Sequence, residues 1–496
     1  MAWSPDRDTL PTEGLLSPRN PRVCSPVPNG ILSSVANCAI LASKRNSLFM
    51  KKSIITLMFV LALAPNAFAG LKDYVAKADD SYAYEITETK QVGGNTVYVI
   101  SLTSQTWQGL TWKHWLTVFT PAEIKHADKS LLVIAGGNNT DAGPRFDSSE
   151  LQTLGMIASQ TGTVCAAVSQ IPNQPLFDGK EEDAIIAYTH EQFVNGEGED
   201  WPLLFPMVKS AVRAMDTIQA VAKEKAGADV QQFMLTGASK RGWTTWLSAA
   251  ADKRVAAIAP IVIDVLNMGV QMKHQHTTYG GYSEQVGDYT ERDLQSQMDT
   301  EAGKALLAQT DPYSFREELT LPKLMVIGTN DPYWTIDAAN LYFDDLKGEK
   351  NLYYQANTEH DVNLPGVATI NAFYESMLGN APFPDIAWEQ EAEKQNEISA
   401  TWTGEGKAVL WQATSPNRDF RGSKWTSSPL EGAGKASANI PQPESGYIAY
   451  YIEVQYPSKI GIPFGNCTKV TILPDTFAPE GTRTYEIKAA EAAAAK

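Results

Sequence analysis

Apolar and polar positions alternate from about Tyr84 to Phe119, as in Val97-Tyr98-Val99-Ile100-Ser101-Leu102 and His114-Trp115-Leu116-Thr117-Val118-Phe119. Gly93-Gly94-Asn95 supplies turn chemistry between neighbouring runs, so the pattern predicts antiparallel strands at the start of a sheet. From residue 131 the rhythm changes. Short, continuously apolar runs (Leu131–Ala135, 163–169, Phe233–Thr236, Val255–Ile263, Leu324–Ile327, Leu352–Tyr354) alternate with helical patterns near 148–160, after Gly242 and over about 336–346. The longest helix repeats Val208, Ala211, Val212, Met215, Ile218, Val221 and Ala222 at intervals of three or four, with Gly227 near its stop. Strands without alternation are buried on both faces, which predicts an α/β fold with a mostly parallel sheet and helices on both sides.

A polar, aromatic insertion over 264–316 separates two core strands and is expected to cap the sheet's edge; it contains His274-x-His276 and Tyr279, Tyr282 and Tyr289. Beyond about 398 helical periodicity stops. Runs such as Ala408–Gln412 and Tyr447–Val454, divided by Ser415-Pro416-Asn417 and Pro441-Gln442-Pro443, predict a small β-sandwich over 398–482. The expected organisation is a main α/β domain over 70–397, that sandwich, and a tail over 483–496 whose alanine-rich end has nothing to bury.

Residues before 70 change the picture of charge and compartment. Met50-Lys51-Lys52, the largely apolar run Ile54–Ala64 and Pro65-Asn66-Ala67-Phe68-Ala69 have the layout of a secretory signal with an A-x-A site near Ala69. Residues 1–49 then form an upstream extension that suggests a start codon placed too early. The chain has 41 basic and 57 acidic residues. Residues 1–69 hold 7 and 3 of these, leaving 34 against 54, a net charge of −20. A periplasmic or secreted protein with an acidic exterior follows, with no nucleic-acid partner and no membrane span in the mature chain. Cys24 and Cys38 leave with the leader. Cys165 and Cys467 remain, either as one bridge or, given the apolar run around Cys165, as buried thiols.

The chemistry concentrates in Phe233-Met234-Leu235-Thr236-Gly237-Ala238-Ser239-Lys240-Arg241-Gly242-Trp243. A strand that turns abruptly into a helix strains the apex residue, excludes bulk beside it, and projects a serine hydroxyl near the positive end of the helix. Arg241 stands where the second glycine of a G-x-S-x-G elbow belongs, and glycine arrives at Gly242. Asp331 follows the apolar strand Leu324–Ile327, and His360 follows the next, so the order is serine, acid, histidine, as in α/β-hydrolases. In this reading His360 moves the Ser239 proton and Asp331 orients the imidazole. Asp337 is the second candidate acid, placed in the first turn of a following helix. The loop Gly136-Gly137-Asn138 is the candidate for oxyanion N–H groups. Lys240 and Arg241 either hold a substrate carboxylate or form a salt-bridged pair. His274-x-His276 is expected in an exposed cap loop rather than at a metal; neither metal nor cofactor is expected.

The signal, the elbow Gly237–Trp243, Gly136-Gly137-Asn138, Gly328-Thr329-Asn330-Asp331 and the terminal β region resemble the PhoPQ-activated pathogenicity-related proteins over about 70–482. That resemblance implies an α/β-hydrolase-like fold in an exported bacterial protein associated with a virulence regulon. The elbow is also similar to that of the glucuronoyl esterases, and this second likeness implies a role for Lys240 or Arg241 at the oxyanion. Three functions remain: an exported esterase acting through an acyl-enzyme; a peptidase using Glu181-Glu182 or Glu197 to Asp200 to bind an amino end; and a non-catalytic binding protein. The first two take a small-molecule or peptide substrate.

Overall fold

The computed structural model describes residues 70–391 and 394–494, and the segments expected to form an upstream extension and an export signal lie outside the described residues. Nine strands share one sheet: β1 (Ala83–Val92), β2 (Asn95–Trp107), β3 (Leu110–Pro121), β4 (Lys129–Ile134), β5 (Val164–Val168), β6 (Gln232–Ala238), β7 (Val255–Ile261), β8 (Lys323–Gly328) and β9 (Lys350–Gln355). Their spatial order is β1-β2-β3-β5-β4-β6-β7-β8-β9. Pairs from β1 to β5 are antiparallel, and pairs from β5–β4 to β8–β9 are parallel. β1 is largely exposed, whereas every residue of β5 and β8 is buried, as their unbroken apolar runs predict.

β4 lies between β5 and β6, so the chain leaves β4 toward one edge and returns on its other side. Loops after β4 and β6 therefore diverge and open a crevice at the carboxyl ends of these strands. With the long helix Leu204–Ala226 and the helix Lys240–Ala251 packed on each other and on the sheet, this is an α/β-hydrolase fold.

The C-terminal region forms two further antiparallel sheets. One contains β10 (Ile386–Glu389), β11 (Glu397–Trp402) and β14 (Lys435–Asn439); the other contains β12 (Lys407–Ser415), β13 (Thr426–Pro429), β15 (Tyr447–Tyr456), β16 (Phe464–Cys467) and β17 (Thr471–Leu473). β15 serves two cores by its period of two: Tyr450, Ile452 and Val454 pack between the two small sheets, while Tyr447, Ala449 and Tyr451 join the main core. Side-chain amides tie this region to the strand ends. Asn330 Nδ2 donates to the carbonyls of Arg421 at 3.0 Å and Ser423 at 2.7 Å. Asn357 exchanges two hydrogen bonds with the Trp425 backbone, at 3.0 and 2.8 Å.

Three local expectations are corrected. The segment 336–346 is not an α-helix but two 3-10 turns, Ala338–Leu341 and Phe343–Asp345. Asp337 is consequently not a first-turn acid serving a helix dipole; it is buried and ion-paired. His274 is not in an exposed loop but in the helix Met268–Tyr279, which docks through buried Gln271 and Gln275 donating to the carbonyls of Ala338 and Tyr333. Cys165 and Cys467 are both buried free thiols. The terminal segment is a helix, Thr484–Ala494, with no buried residue, and its Tyr485 lies against Tyr279. No described helix is long and apolar enough to cross a membrane.

Candidate active site

Ser239 stands between β6 and the helix Lys240–Ala251 at φ 58° and ψ −126°, a conformation an L-residue holds only under restraint. The restraint is visible: its N–H donates to the Ile261 carbonyl at 2.8 Å, and its own carbonyl accepts from Trp243 N–H at 3.0 Å. A Cβ at position 242 would lie 2.5 Å from Ile263 Cγ2 and 2.9 Å from the Gly237 carbonyl oxygen. The close crossing of helix over strand thus falls on Gly242, and position 241 is free to carry a large side chain.

That side chain points to a neighbouring carboxylate. The buried Arg241 guanidinium grips Glu182, with Nη1 2.8 Å from Oε2 and Nη2 on Oε1, while Nε donates to the Ile171 carbonyl. Lys240 Nζ donates to Asp183 Oδ2 at 2.8 Å and lies 3.5 Å from Ser239 Oγ. Of the two sequence readings for Lys240 and Arg241, the structure displays the salt-bridged pair. Burial would raise the Glu182 pKa, but the charges of Arg241 and Lys240 reverse this and hold it at about 2. Asp183 also accepts from Tyr289 Oη at 2.9 Å and Tyr333 Oη at 3.1 Å. Burial, then the Asp183 charge, pushes both phenols well above their ordinary range.

Asp331 is buried just past β8. Its Oδ2 accepts from His360 Nδ1 at 2.8 Å and its Oδ1 from Tyr333 N–H at 2.9 Å. A Cβ at position 328 would meet the Glu359 carbonyl oxygen at 2.1 Å, so glycine there lets the loop before His360 cross the end of β8. The Tyr333 ring lies on the His360 imidazole, centroids 4.4 Å apart. His360 Nε2 is buried with no partner among the described residues. The structure therefore joins His360 to Asp331 but does not hydrogen-bond it to Ser239; Tyr333 spans the two halves, stacking on the base and bonding Asp183 beside the elbow. In many hydrolytic sites the nucleophile–base contact tightens only with substrate in place.

In the β4 loop, Asn138 N–H donates to Asp141 Oδ2 at 2.8 Å, and Asn138 Nδ2 reaches Glu181 Oε1 at 3.3 Å. Gly137 N–H makes no backbone hydrogen bond among the described residues. Lys240, first in its helix, has no intrahelical acceptor for its N–H. Neither N–H group is engaged by a backbone acceptor among the described residues. The acids considered for an amino end separate: Glu181 and Glu182 lie by the elbow, whereas the Asp200 carbonyl accepts from Trp107 and its carboxylate from Gln108 at the β2–β3 turn. Tyr289 is the cap tyrosine that bonds Asp183; Tyr279 is buried beneath the Arg421 guanidinium at 4.1 Å, and Tyr282 lies on His276. Asp183 and Tyr333 were missed from sequence, although consecutive acids facing the consecutive cations Lys240-Arg241 were a usable signal. No cluster of three or more His, Cys, Asp or Glu positioned for a metal occurs among the described residues.

Known proteins resemble the chain at two levels. A model of the PhoPQ-activated pathogenicity-related protein family matches residues 71–421. Autocrine proliferation repressor protein A of Dictyostelium discoideum is 30% identical over 445 residues, covering 82% of this chain and 89% of that protein. Among solved structures, an acetyl xylan esterase from Paenibacillus sp. R4 is 14% identical with a TM-score of 0.42, over 62% of this chain and 90% of its own. A glucuronoyl esterase from Solibacter usitatus is 14% identical with a TM-score of 0.35, over 60% and 87%.

Proposed function

The chain belongs to the PhoPQ-activated pathogenicity-related family, and on that footing we propose that it is an exported serine hydrolase, an esterase working through an acyl-enzyme. The observation that carries this reading is the strained Ser239 turn, linked through Lys240, Asp183 and Tyr333 to an Asp331–His360 pair whose Nε2 has no partner among the described residues. Ser239 Oγ attacks the ester carbonyl as His360 Nε2 takes its proton; the proton then passes to the departing alcohol. A water deprotonated by His360 releases the acid and restores the serine. Asp331 stabilises the imidazolium, and the N–H groups of Gly137 and Lys240 receive the developing oxyanion, with the Lys240 ammonium adding positive charge nearby.

The test is labelling of the folded protein with a fluorophosphonate, wild type beside Ser239→Ala, with the adduct mapped by mass spectrometry. Modification at Ser239 supports an activated nucleophile. A folded protein that takes no label sinks the hydrolase reading in favour of a binding protein on the same scaffold. A peptidase is the second reading, favoured by the exposed Glu181 carboxylate beside Asn138, where a substrate ammonium would find an acceptor. Hydrolysis of aminoacyl amides in preference to the matching esters would select it. Export predicts a mature N-terminus near residue 70, readable by N-terminal sequencing of secreted or periplasmic material.

A further inference from the structure

A second cleft, of about 350 Å³, opens between the segment that follows Asp331 and the C-terminal strands. Its charges cancel: Arg418 and Lys469 stand against Asp337 and Asp475, two against two. Both cations are paired within the protein, Arg418 with Asp337 at 2.9 Å and Lys469 with Asp344 at 2.6 Å, while Asp475 stands 3.9 Å from Arg418 and is largely exposed. An anionic ligand would find no uncompensated cation and would lose its own hydration. What the cleft offers instead is an aromatic face and planar polar groups. Phe477 is 42% exposed, with the Arg418 guanidinium over its ring at 5.2 Å and the His274 ring edge-on at 5.6 Å. The amides are fixed in advance. Gln390 Nε2 donates to the Gln395 carbonyl at 2.8 Å and to Tyr450 Oη at 2.6 Å while its Oε1 accepts from Thr471 Oγ1 at 2.8 Å, which leaves it an acceptor only. Asn340 Nδ2 donates to the Val470 carbonyl at 2.9 Å, with its second N–H and its Oδ1 still to offer. The volume lies at the lower end of the roughly 300–1,000 Å³ typical of small-ligand sites.

We infer that this cleft is a binding site for a neutral, hydroxyl-rich ligand, a saccharide of one or two sugar residues, whose C–H face lies on Phe477 while its hydroxyls meet the amides and the Asp475 carboxylate. Such a ligand matches both halves of the lining, since a sugar ring is apolar on its faces and polar at its rim. Nothing in this assignment depends on Ser239.

Calorimetric titration of the full chain with cellobiose, maltose and N-acetylglucosamine, and with glucuronate as the charged counterpart, tests it. The expected result is saturable binding of at least one neutral sugar, weakened about tenfold by Phe477→Ala, retained by Phe477→Trp and unaffected by Ser239→Ala. Circular dichroism confirms the fold of each variant. The assignment is overturned by failure of every neutral sugar to bind, by tighter binding of glucuronate, by indifference to Phe477→Ala, or by loss of binding in Ser239→Ala, which would move the sugar to the Ser239 crevice.

Discussion

Asp331–His360 and Asp337–His274 are two aspartate–histidine pairs whose buried aspartates stand on one stretch of chain, with contacts of 2.8 and 2.9 Å. Their difference lies at the other carboxylate oxygen. Asp331 gives it to the Tyr333 backbone N–H, whereas Asp337 gives it to the Arg418 guanidinium at 2.9 Å. Burial would raise the Asp337 pKa, but the His274 hydrogen bond and charge, and then Arg418, hold it far below the usual carboxylate range. Its negative charge is already matched, so its histidine is a structural donor. Among the described residues no lysine or arginine is paired with Asp331, which leaves its charge available to an imidazolium. An aspartate–histidine pair thus acquires a chemical role from what the carboxylate does not already hold.

The sharpest way to break this comparison is a reciprocal pair of variants. Asp331→Asn should lower kcat by about 10⁴-fold with the fold retained, because the imidazole loses its tautomer and its counter-charge. Asp337→Asn should leave kcat unchanged but destabilise the protein by about 3–5 kcal/mol in urea unfolding, since Arg418 would remain buried with a neutral partner. Equal losses of kcat in both would erase the distinction. Next in size is Tyr333→Phe, which keeps the ring on His360 but removes a hydrogen bond of about 1 kcal/mol to Asp183. It should cost roughly fivefold in kcat, and Tyr333→Ala more.

A smaller effect comes from Asp264, beyond β7. It is fully buried, facing the Tyr342 hydroxyl, and loss of solvation, with Asp331 and Asp337 near, pushes its pKa up to about 7. The folded chain then keeps a proton that the unfolded chain releases near pH ~3.9. Its contribution is fully present below that pH and declines as pH rises toward 7. Asp264→Asn should therefore flatten the fall of Tm measured between pH 4 and 8; an unchanged slope would show that Asp264 does not govern it. The smallest expected effect is that of a reductant, which should leave Tm unchanged because Cys165 and Cys467 are unpaired.

The parallel sheet was legible because strands covered on both faces must be apolar throughout, as at Leu324–Ile327 and Leu352–Tyr354. The positions of Ser239, Asp331 and His360 were legible because Ser239 and Asp331 follow the ends of apolar strands and His360 lies in the loop after the next. What escaped the sequence is held by polar tertiary bonds. The helix Met268–Tyr279 docks through glutamines and so lacks an apolar stripe. Over 336–346 the tertiary contacts of Asp337 and Asn340 accompany 3-10 turns in place of the expected helix. The Asp183 hub was hidden because its donors come from residues 240, 289 and 333.

The amide ties from Asn330 and Asn357 to the backbone of residues 421–425 give the chain a particular vulnerability to mutation. The residues flanking Asp331 and His360 are held by a stretch more than sixty positions downstream, so the two ends of this gene cannot vary independently. A premature stop codon just before Arg421 would spare Ser239, Asp331 and His360 and still strip the support from two of them. Selection therefore sees the hydrolase sheet and its terminal strands as one heritable unit, and exchanging that terminal segment between relatives should succeed only when the donor brings its own partners for both asparagines.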